Sequence, residues 1–191
     1  TRGSHTMLEQ ISGAACLRIF FLCALYLVHP ALAAQELTHN LPSGIIASAD
    51  YRAGAPSKPV ALILHGYLQT RNFPLIYNLA DALSNEGYAV LTPTLSLGVT
   101  HRSQSLACEA IHTHSMQDDV NELRYWINWL AGRGHKKIVL IGHSFAAVQF
   151  LSYAQIQTAV EVTQMIFISP SDMEHRFWSE GRVDRNNAAE I

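Results

Sequence analysis

The chain has 191 residues, of which 49% are hydrophobic and 15% are charged, and its formal net charge is −2. This composition excludes an intrinsically disordered chain, which would be poorer in apolar residues and higher in net charge. The sequence contains no basic block, so we expect no nucleic-acid partner, and its length suits one domain.

The first 33 residues are predicted to lie outside the folded domain. Residues 1–6 precede Met7 and are typical of a tag remnant, and residues 7–33 are typical of a secretory signal peptide. Its apolar run at 19–28 is about half as long as the roughly 20 residues of a membrane-spanning helix. It ends near an Ala-x-Ala cleavage site at 31–33. A signal anchor or a buried helix is the alternative.

We therefore expect an exported protein, periplasmic or secreted, with no stable membrane span after cleavage. The predicted domain then covers residues 34–191. Cleavage would remove Cys16 and Cys23 and leave Cys108 alone. We expect Cys108 to be buried and inert, or to pair with a cysteine outside this chain.

The first predicted elements of the domain are strands. Residues 35–39 and 44–51 form two short strands joined by a turn, and 54–59 is a loop. The run VALIL at 60–64 is apolar throughout, which is typical of a strand buried on both faces of a parallel sheet.

A helix is predicted over 74–86, with Gly87 as its C-terminal cap. The apolar stripe of this helix consists of Leu75, Leu79, Ala82 and Leu83. The next strand is predicted at 88–92 and is expected to end at Pro93, because proline cannot donate a hydrogen bond to a sheet.

A long polar stretch at 94–115 precedes a second helix. The apolar stripe of that helix is Val120, Leu123, Ile127 and Leu130, with Trp126 and Trp129 as packing groups beside it. Strands at 137–141 and 164–169 then flank a helix at 145–157. Alternation of strands and helices predicts an α/β fold with a mostly parallel sheet, right-handed crossovers and flanking helices.

One motif that carries chemistry lies where the strand at 137–141 meets the next helix. A nucleophilic serine at such an elbow needs a tight turn, with small residues two positions before and two after it. Gly142 and Ala146 meet this requirement around Ser144, which is the candidate nucleophile. His143 is expected to pack under the elbow. The alternative is an ordinary turn with an N-capping serine.

A second motif, His65-Gly66-Tyr67, follows the strand at 60–64 directly. Acyl transfer needs hydrogen-bond donors aimed at the developing oxyanion, and these are usually backbone amides. A turn here would present the Tyr67 amide beside the Phe145 amide, and the two would form an oxyanion hole. His65 is expected to shape this turn through local hydrogen bonds rather than to transfer protons.

Together, HGYLQT, GYAVLTPTLSLG and GHSFAA, in this order, resemble the N-terminal portion of the α/β-hydrolase fold serine hydrolases. The resemblance covers about residues 35–173 and implies a three-layer sandwich. It also implies Ser144 as nucleophile, Tyr67 and Phe145 as oxyanion amides, and no metal or organic cofactor. Because these enzymes carry the acid and then the histidine late in the chain, we expect this chain to stop before both. The sheet would then be incomplete at its C-terminal end.

Within the chain, Asp172 is the candidate acid, because it follows the last predicted strand. Its alternative role is to cap the next helix, and His175 is a poor candidate for the base. A second polar cluster contains Cys108, His112, His114, Asp118 and Asp119. Although His-x-His occurs in some metal sites, we favour a polar loop over the active-site cleft and predict no metal.

The predicted function is hydrolysis of a small-molecule ester or other acyl substrate. A non-catalytic binding protein, a peptidase or thioesterase with the same machinery, and a metal- or redox-dependent protein are the alternatives. Since an incomplete sheet exposes a pairing edge and apolar surface, we also expect the chain to associate with itself.

Overall fold

The computed structural model describes residues 33–111, 113–155 and 160–171. Its strands are β1 (Gln35–Asn40), β2 (Ile46–Arg52), β3 (Val60–Leu64), β4 (Val90–Thr94), β5 (Lys137–His143) and β6 (Glu161–Ile168). Its helices are α1 (Pro74–Asn85), α2 (Met116–Gly132) and α3 (Ala146–Ala154). In this part of the chain no helix is both long enough and apolar enough to cross a bilayer.

Several predicted features fall outside the described residues. These are the tag remnant at 1–6, the signal peptide at 7–33 apart from its last residue, and His112, Asp172 and His175.

The strands form one sheet in the order β1-β2-β4-β3-β5-β6. The hairpin β1–β2 is antiparallel and β2 pairs antiparallel with β4, whereas β4, β3, β5 and β6 run parallel to one another. This confirms the predicted mostly parallel α/β sheet. The carboxyl ends of β3, β4, β5 and β6 therefore meet at one edge, where open α/β sheets bind their ligands.

The central strand β3 supplies both faces of the core. Val60, Leu62 and Leu64 pack in one apolar cluster with α2 and α3, whereas Ala61 and Ile63 pack in a second cluster with α1. Alternate residues of a strand point to opposite faces, so a run that is apolar throughout places helices on both sides. The three layers follow directly from this sequence.

The strand after α1 differs from its prediction. It was expected at 88–92, but β4 covers Val90–Thr94 and runs through Pro93. The pairing of β4 with β3 ends at Leu91, whereas its pairing with β2 continues to Thr94. The missing N–H of Pro93 therefore removes no bond on the β3 side, which is how a strand tolerates proline.

Two further predictions on packing are corrected. The buried residues of α1 are Ile76 and Ala80, whereas Leu75, placed in the predicted stripe, is exposed. Leu79 and Leu83 of the predicted stripe are half-buried and pack against the cluster that contains Ile76 and Ala80, so the prediction fails only for Leu75 and Ala82, which are exposed. Cys108, expected to be buried, is an exposed free cysteine. By contrast, the predicted stripe of α2 is buried throughout, together with Trp126.

Candidate active site

The turn between β5 and α3 holds Ser144 in a strained backbone conformation. Its φ is +54°, in the left-handed region, which costs a residue with a side chain roughly 1–2 kcal/mol. Surrounding hydrogen bonds maintain this conformation. The Ser144 N–H donates to the carbonyl of Ile168 at 3.0 Å, and the Ala147 N–H donates to the carbonyl of Ser144 at 3.2 Å. A strained serine between a strand and a helix is the geometry of a nucleophile elbow.

The small residues around this turn allow the close packing that the motif requires. A Cβ atom on Gly142 would lie 3.0 Å from the Cβ of Ala146 and 3.0 Å from ring atoms of Phe150. A side chain at residue 142 would therefore require Ala146 and Phe150 to move. The glycine is needed for close approach, as the sequence predicted.

Ser144 also contacts the segment that follows β6. The Oγ atoms of Ser144 and Ser171 are 3.1 Å apart, and the Ser171 N–H donates to the carbonyl of Ser144 at 3.3 Å. Ser171 belongs to no motif in the sequence. Its position just past the carboxyl end of the strand next to β5 was the feature that could have indicated its proximity to Ser144. Asp172, the candidate acid, is the next residue in the chain and lies outside the described part.

The turn after β3 lies directly against the elbow. A Cβ atom on Gly66 would be 3.2 Å from the Cβ of Ser144. The rings of Tyr67 and Phe145 meet edge to face with centroids 5.3 Å apart, and Tyr67 is 48% exposed. The two segments predicted to supply the oxyanion amides are therefore adjacent. Since the Ser144 N–H is bonded to Ile168, the next amide, that of Phe145 at the N-terminal end of α3, is the candidate donor on this side.

His65 is buried beneath this turn, with both ring nitrogens engaged. Its Nε2 accepts the Leu95 N–H at 3.1 Å, so Nδ1 carries the proton and donates to the Gly66 carbonyl at 2.8 Å. Burial lowers the pKa of His65 to about 3, although the bond to Gly66 opposes the shift. The ring is therefore neutral and its nitrogens serve the backbone, which is the arrangement expected of a turn-shaping residue.

His143, the residue before Ser144, is half-buried and contacts Phe73, the residue before α1. Its ring stacks on Phe73, with centroids 5.5 Å apart and planes tilted by 21°. Its Nδ1 is buried and has no hydrogen-bond partner among the described residues.

Of the second polar cluster, His114 and Asp119 belong to a buried network beside α2, whereas Cys108 and Asp118 are exposed. Asp119 accepts one hydrogen bond from Gln149 on α3 at 2.7 Å, and its carboxylate is 2.9 Å from Nδ1 of His114. Glu122 accepts two hydrogen bonds from Ser96. Burial raises the pKa of both carboxyl groups.

Across 33–111, 113–155 and 160–171, no three His, Cys, Asp or Glu side chains form a group that could hold a metal ion. A cleft of about 590 Å³ beside α2 is lined by His114 and Glu122 but not by the elbow.

Comparison with known proteins gives the family. The sequence profile described as alpha/beta hydrolase fold matches residues 59–186. The chain therefore belongs to the α/β-hydrolase fold family, as its motifs implied. Comparison with curated protein sequences finds no significant match.

Solved structures of this fold are similar to the chain in three dimensions. The alpha/beta hydrolase GrgF from Penicillium sp. sh18 has a TM-score of 0.59 at 16% identity, with 83% of this chain and 56% of that chain covered. An esterase from Pyrococcus furiosus has a TM-score of 0.59 at 15% identity, with 81% and 58% covered. An alpha/beta hydrolase from Novosphingobium aromaticivorans has a TM-score of 0.52 at 20% identity, with 71% and 44% covered. At these identities the likeness shows the fold, and the chain spans about half the length of these structures.

Proposed function

We propose that the protein is a serine hydrolase that cleaves small-molecule carboxylic esters, with Ser144 as its nucleophile. The observation that carries the proposal is the strained φ of +54° at Ser144, combined with the close approach of the turn at Gly66. A left-handed serine at an element boundary is retained only where the surrounding structure holds it there, and such strain is concentrated at functional sites.

The chemistry would proceed in two steps. The Ser144 hydroxyl attacks the acyl carbon, and the alcohol leaves to give an acyl-serine; water then attacks this intermediate and releases the acid. In each step the oxygen of the tetrahedral intermediate would accept hydrogen bonds from the Tyr67 and Phe145 amides. The neighbouring rings of these two residues would form an apolar wall for the substrate.

The proton of Ser144 needs a base. His65 is excluded from this role by its engaged nitrogens and lowered pKa. The Ser171 hydroxyl is far too weak a base. We propose that a histidine oriented by an acid takes the proton, with Asp172 as the acid candidate.

The experiment compares Ser144→Ala with Ser152→Ala in the full-length protein. Ser152 lies further along α3 and is a matched control for the loss of a serine hydroxyl. Release of p-nitrophenol from p-nitrophenyl acetate is the readout. The proposal predicts that Ser144→Ala removes the enzymatic rate apart from a residual of roughly 10³–10⁴ over water, whereas Ser152→Ala keeps it. Equal rates in the parent and Ser144→Ala would favour a non-catalytic binding protein. Activity on amides or thioesters instead of esters would favour a peptidase or thioesterase.

A further inference from the structure

Arg102 is a buried arginine in the connection between β4 and α2, with only 4% of its surface exposed. Among the described residues it forms no ion pair with a carboxylate. Burial lowers its pKa to about 10, so the guanidinium still carries its charge at neutral pH. A buried charge is tolerated only when its donors are satisfied. The question is therefore what this side chain binds.

All five N–H donors of the guanidinium have an acceptor, and four of these are backbone carbonyls. The acceptors are Leu95 O at 2.6 Å, Leu68 O at 3.2 Å, Gln104 O at 3.1 Å, Gln69 O at 2.6 Å and the His65 Nε2 atom at 3.3 Å. An arginine offers five donors in a fixed planar array. This one uses the whole array to join two loops.

Three of the five acceptors belong to the segment 65–69, here called the oxyanion loop. One of them is the carbonyl of Leu68, whose φ of +60° is also left-handed. That carbonyl accepts a second bond from the Leu106 N–H at 3.0 Å. Arg102 thus fixes the oxyanion loop at the point where its backbone is strained.

A chain of contacts leads from Arg102 to the amide predicted to bind the oxyanion. Arg102 donates to Nε2 of His65, and Nδ1 of His65 donates to the Gly66 carbonyl. This carbonyl belongs to the same peptide unit as the Tyr67 N–H. Because a peptide unit is planar and trans, holding its C=O in place fixes the direction of its N–H.

We infer that Arg102 is a positioning residue that aims the Tyr67 amide at the oxyanion through His65 and the Gly66 carbonyl. The inference rests on the proposed esterase function. Oxyanion donors must lie about 2.7–3.1 Å from the developing charge, and small displacements at a reacting centre cost as much as roughly a hundredfold in rate. Lysine at this position offers three donors from one atom and cannot span the five acceptors.

The test is Arg102→Lys in the full-length protein, assayed on an ester and on the corresponding thionoester, in which sulfur replaces the carbonyl oxygen. Sulfur accepts hydrogen bonds poorly, so the thionoester gains little from the oxyanion amides. The inference predicts that kcat for the ester falls roughly tenfold to a hundredfold while KM changes little. The ester-to-thionoester rate ratio should fall together with kcat.

The matched control is Arg71→Lys. Arg71 is also buried, but its side chain binds Glu36, Asp50 and Ser48, away from the oxyanion loop. This variant should lose thermal stability without changing the rate ratio. Arg102→Lys leaves a charge buried with fewer hydrogen bonds, which can unfold the protein. Arg102→Gln is therefore the second variant, since it removes the buried charge and keeps amide donors. Arg102→Gln should also lower the ester-to-thionoester rate ratio.

An unchanged rate ratio in folded Arg102→Lys or Arg102→Gln would overturn the inference and reduce Arg102 to a structural residue. If Ser144→Ala leaves ester hydrolysis intact, the proposed function fails and the inference fails with it. If Ser144→Ala is inactive while the Arg102 variants keep the parent's ratio, the inference alone fails.

Discussion

Lowering the pH should weaken the fold through one buried side chain, His65. In the folded chain its pKa is about 3, lowered from 6.5 by burial. Between these two values the unfolded chain binds a proton that the folded chain does not. Stability therefore rises with pH over this range. The contribution of His65 is complete above about pH 6.5 and is lost progressively as the pH falls towards 3.

The size of this effect follows from the two pKa values. One pKa unit corresponds to about 1.4 kcal/mol. At pH 5 an unfolded histidine with a pKa of 6.5 is almost entirely protonated, whereas the buried ring is almost entirely neutral. The free energy of unfolding should therefore fall by about 2 kcal/mol between pH 8 and pH 5 on account of His65. Burial raises the pKa of Asp119 and Glu122, and those groups act in the opposite direction as the pH falls.

The contribution of His65 is isolated by comparison with His65→Gln, which lacks the titrating ring and keeps the carboxyl groups. Urea unfolding gives the difference in free energy of unfolding between the parent and His65→Gln, once at pH 8 and once at pH 5. This difference should be about 2 kcal/mol smaller at pH 5 than at pH 8. His101→Asn, which removes an exposed histidine from the loop after β4, should keep the parent's pH dependence. A parent-to-variant difference that stays constant with pH would refute the reasoning.

Three further predictions concern packing, capping and association. Gly142→Ala should lower the free energy of unfolding by about 1–3 kcal/mol, because the new methyl group would overlap Phe150; an unchanged urea midpoint would show that α3 can move away. Ser115→Ala removes a capping box with Asp118 at the start of α2 and should cost about 1 kcal/mol in the same assay. Among the described strands β6 pairs with β5 alone, so the 191-residue chain should self-associate in sedimentation experiments. A monomer at every concentration would contradict this.

The parts of the fold and site that could be predicted from sequence depend on local patterns. The apolar run of β3 predicted the layered core, because a strand that is buried on both faces of a sheet is apolar at every position. The elbow at Ser144 and the turn at Gly66 were recognised because tight turns restrict which residues fit at fixed spacings. In both cases the determining residues lie within a few positions of one another.

The contacts that were missed join segments far apart in the chain. Arg102 reaches the oxyanion loop, and Ser171 reaches Ser144 across the boundary between β5 and β6. A polar stretch read without its partners gives no indication that one of its arginines is buried. The extension of β4 through Pro93 was missed for the same reason, because it depends on which neighbour pairs with that end of the strand.

The most direct test of the account is to locate the residue that a fluorophosphonate probe modifies. The probe forms a covalent bond with an activated serine, and peptide mass mapping identifies the site. We predict an adduct on Ser144 in the parent protein and none in Ser144→Ala. An adduct on another serine, or none in the full-length protein, would contradict the assignment of Ser144 as the nucleophile.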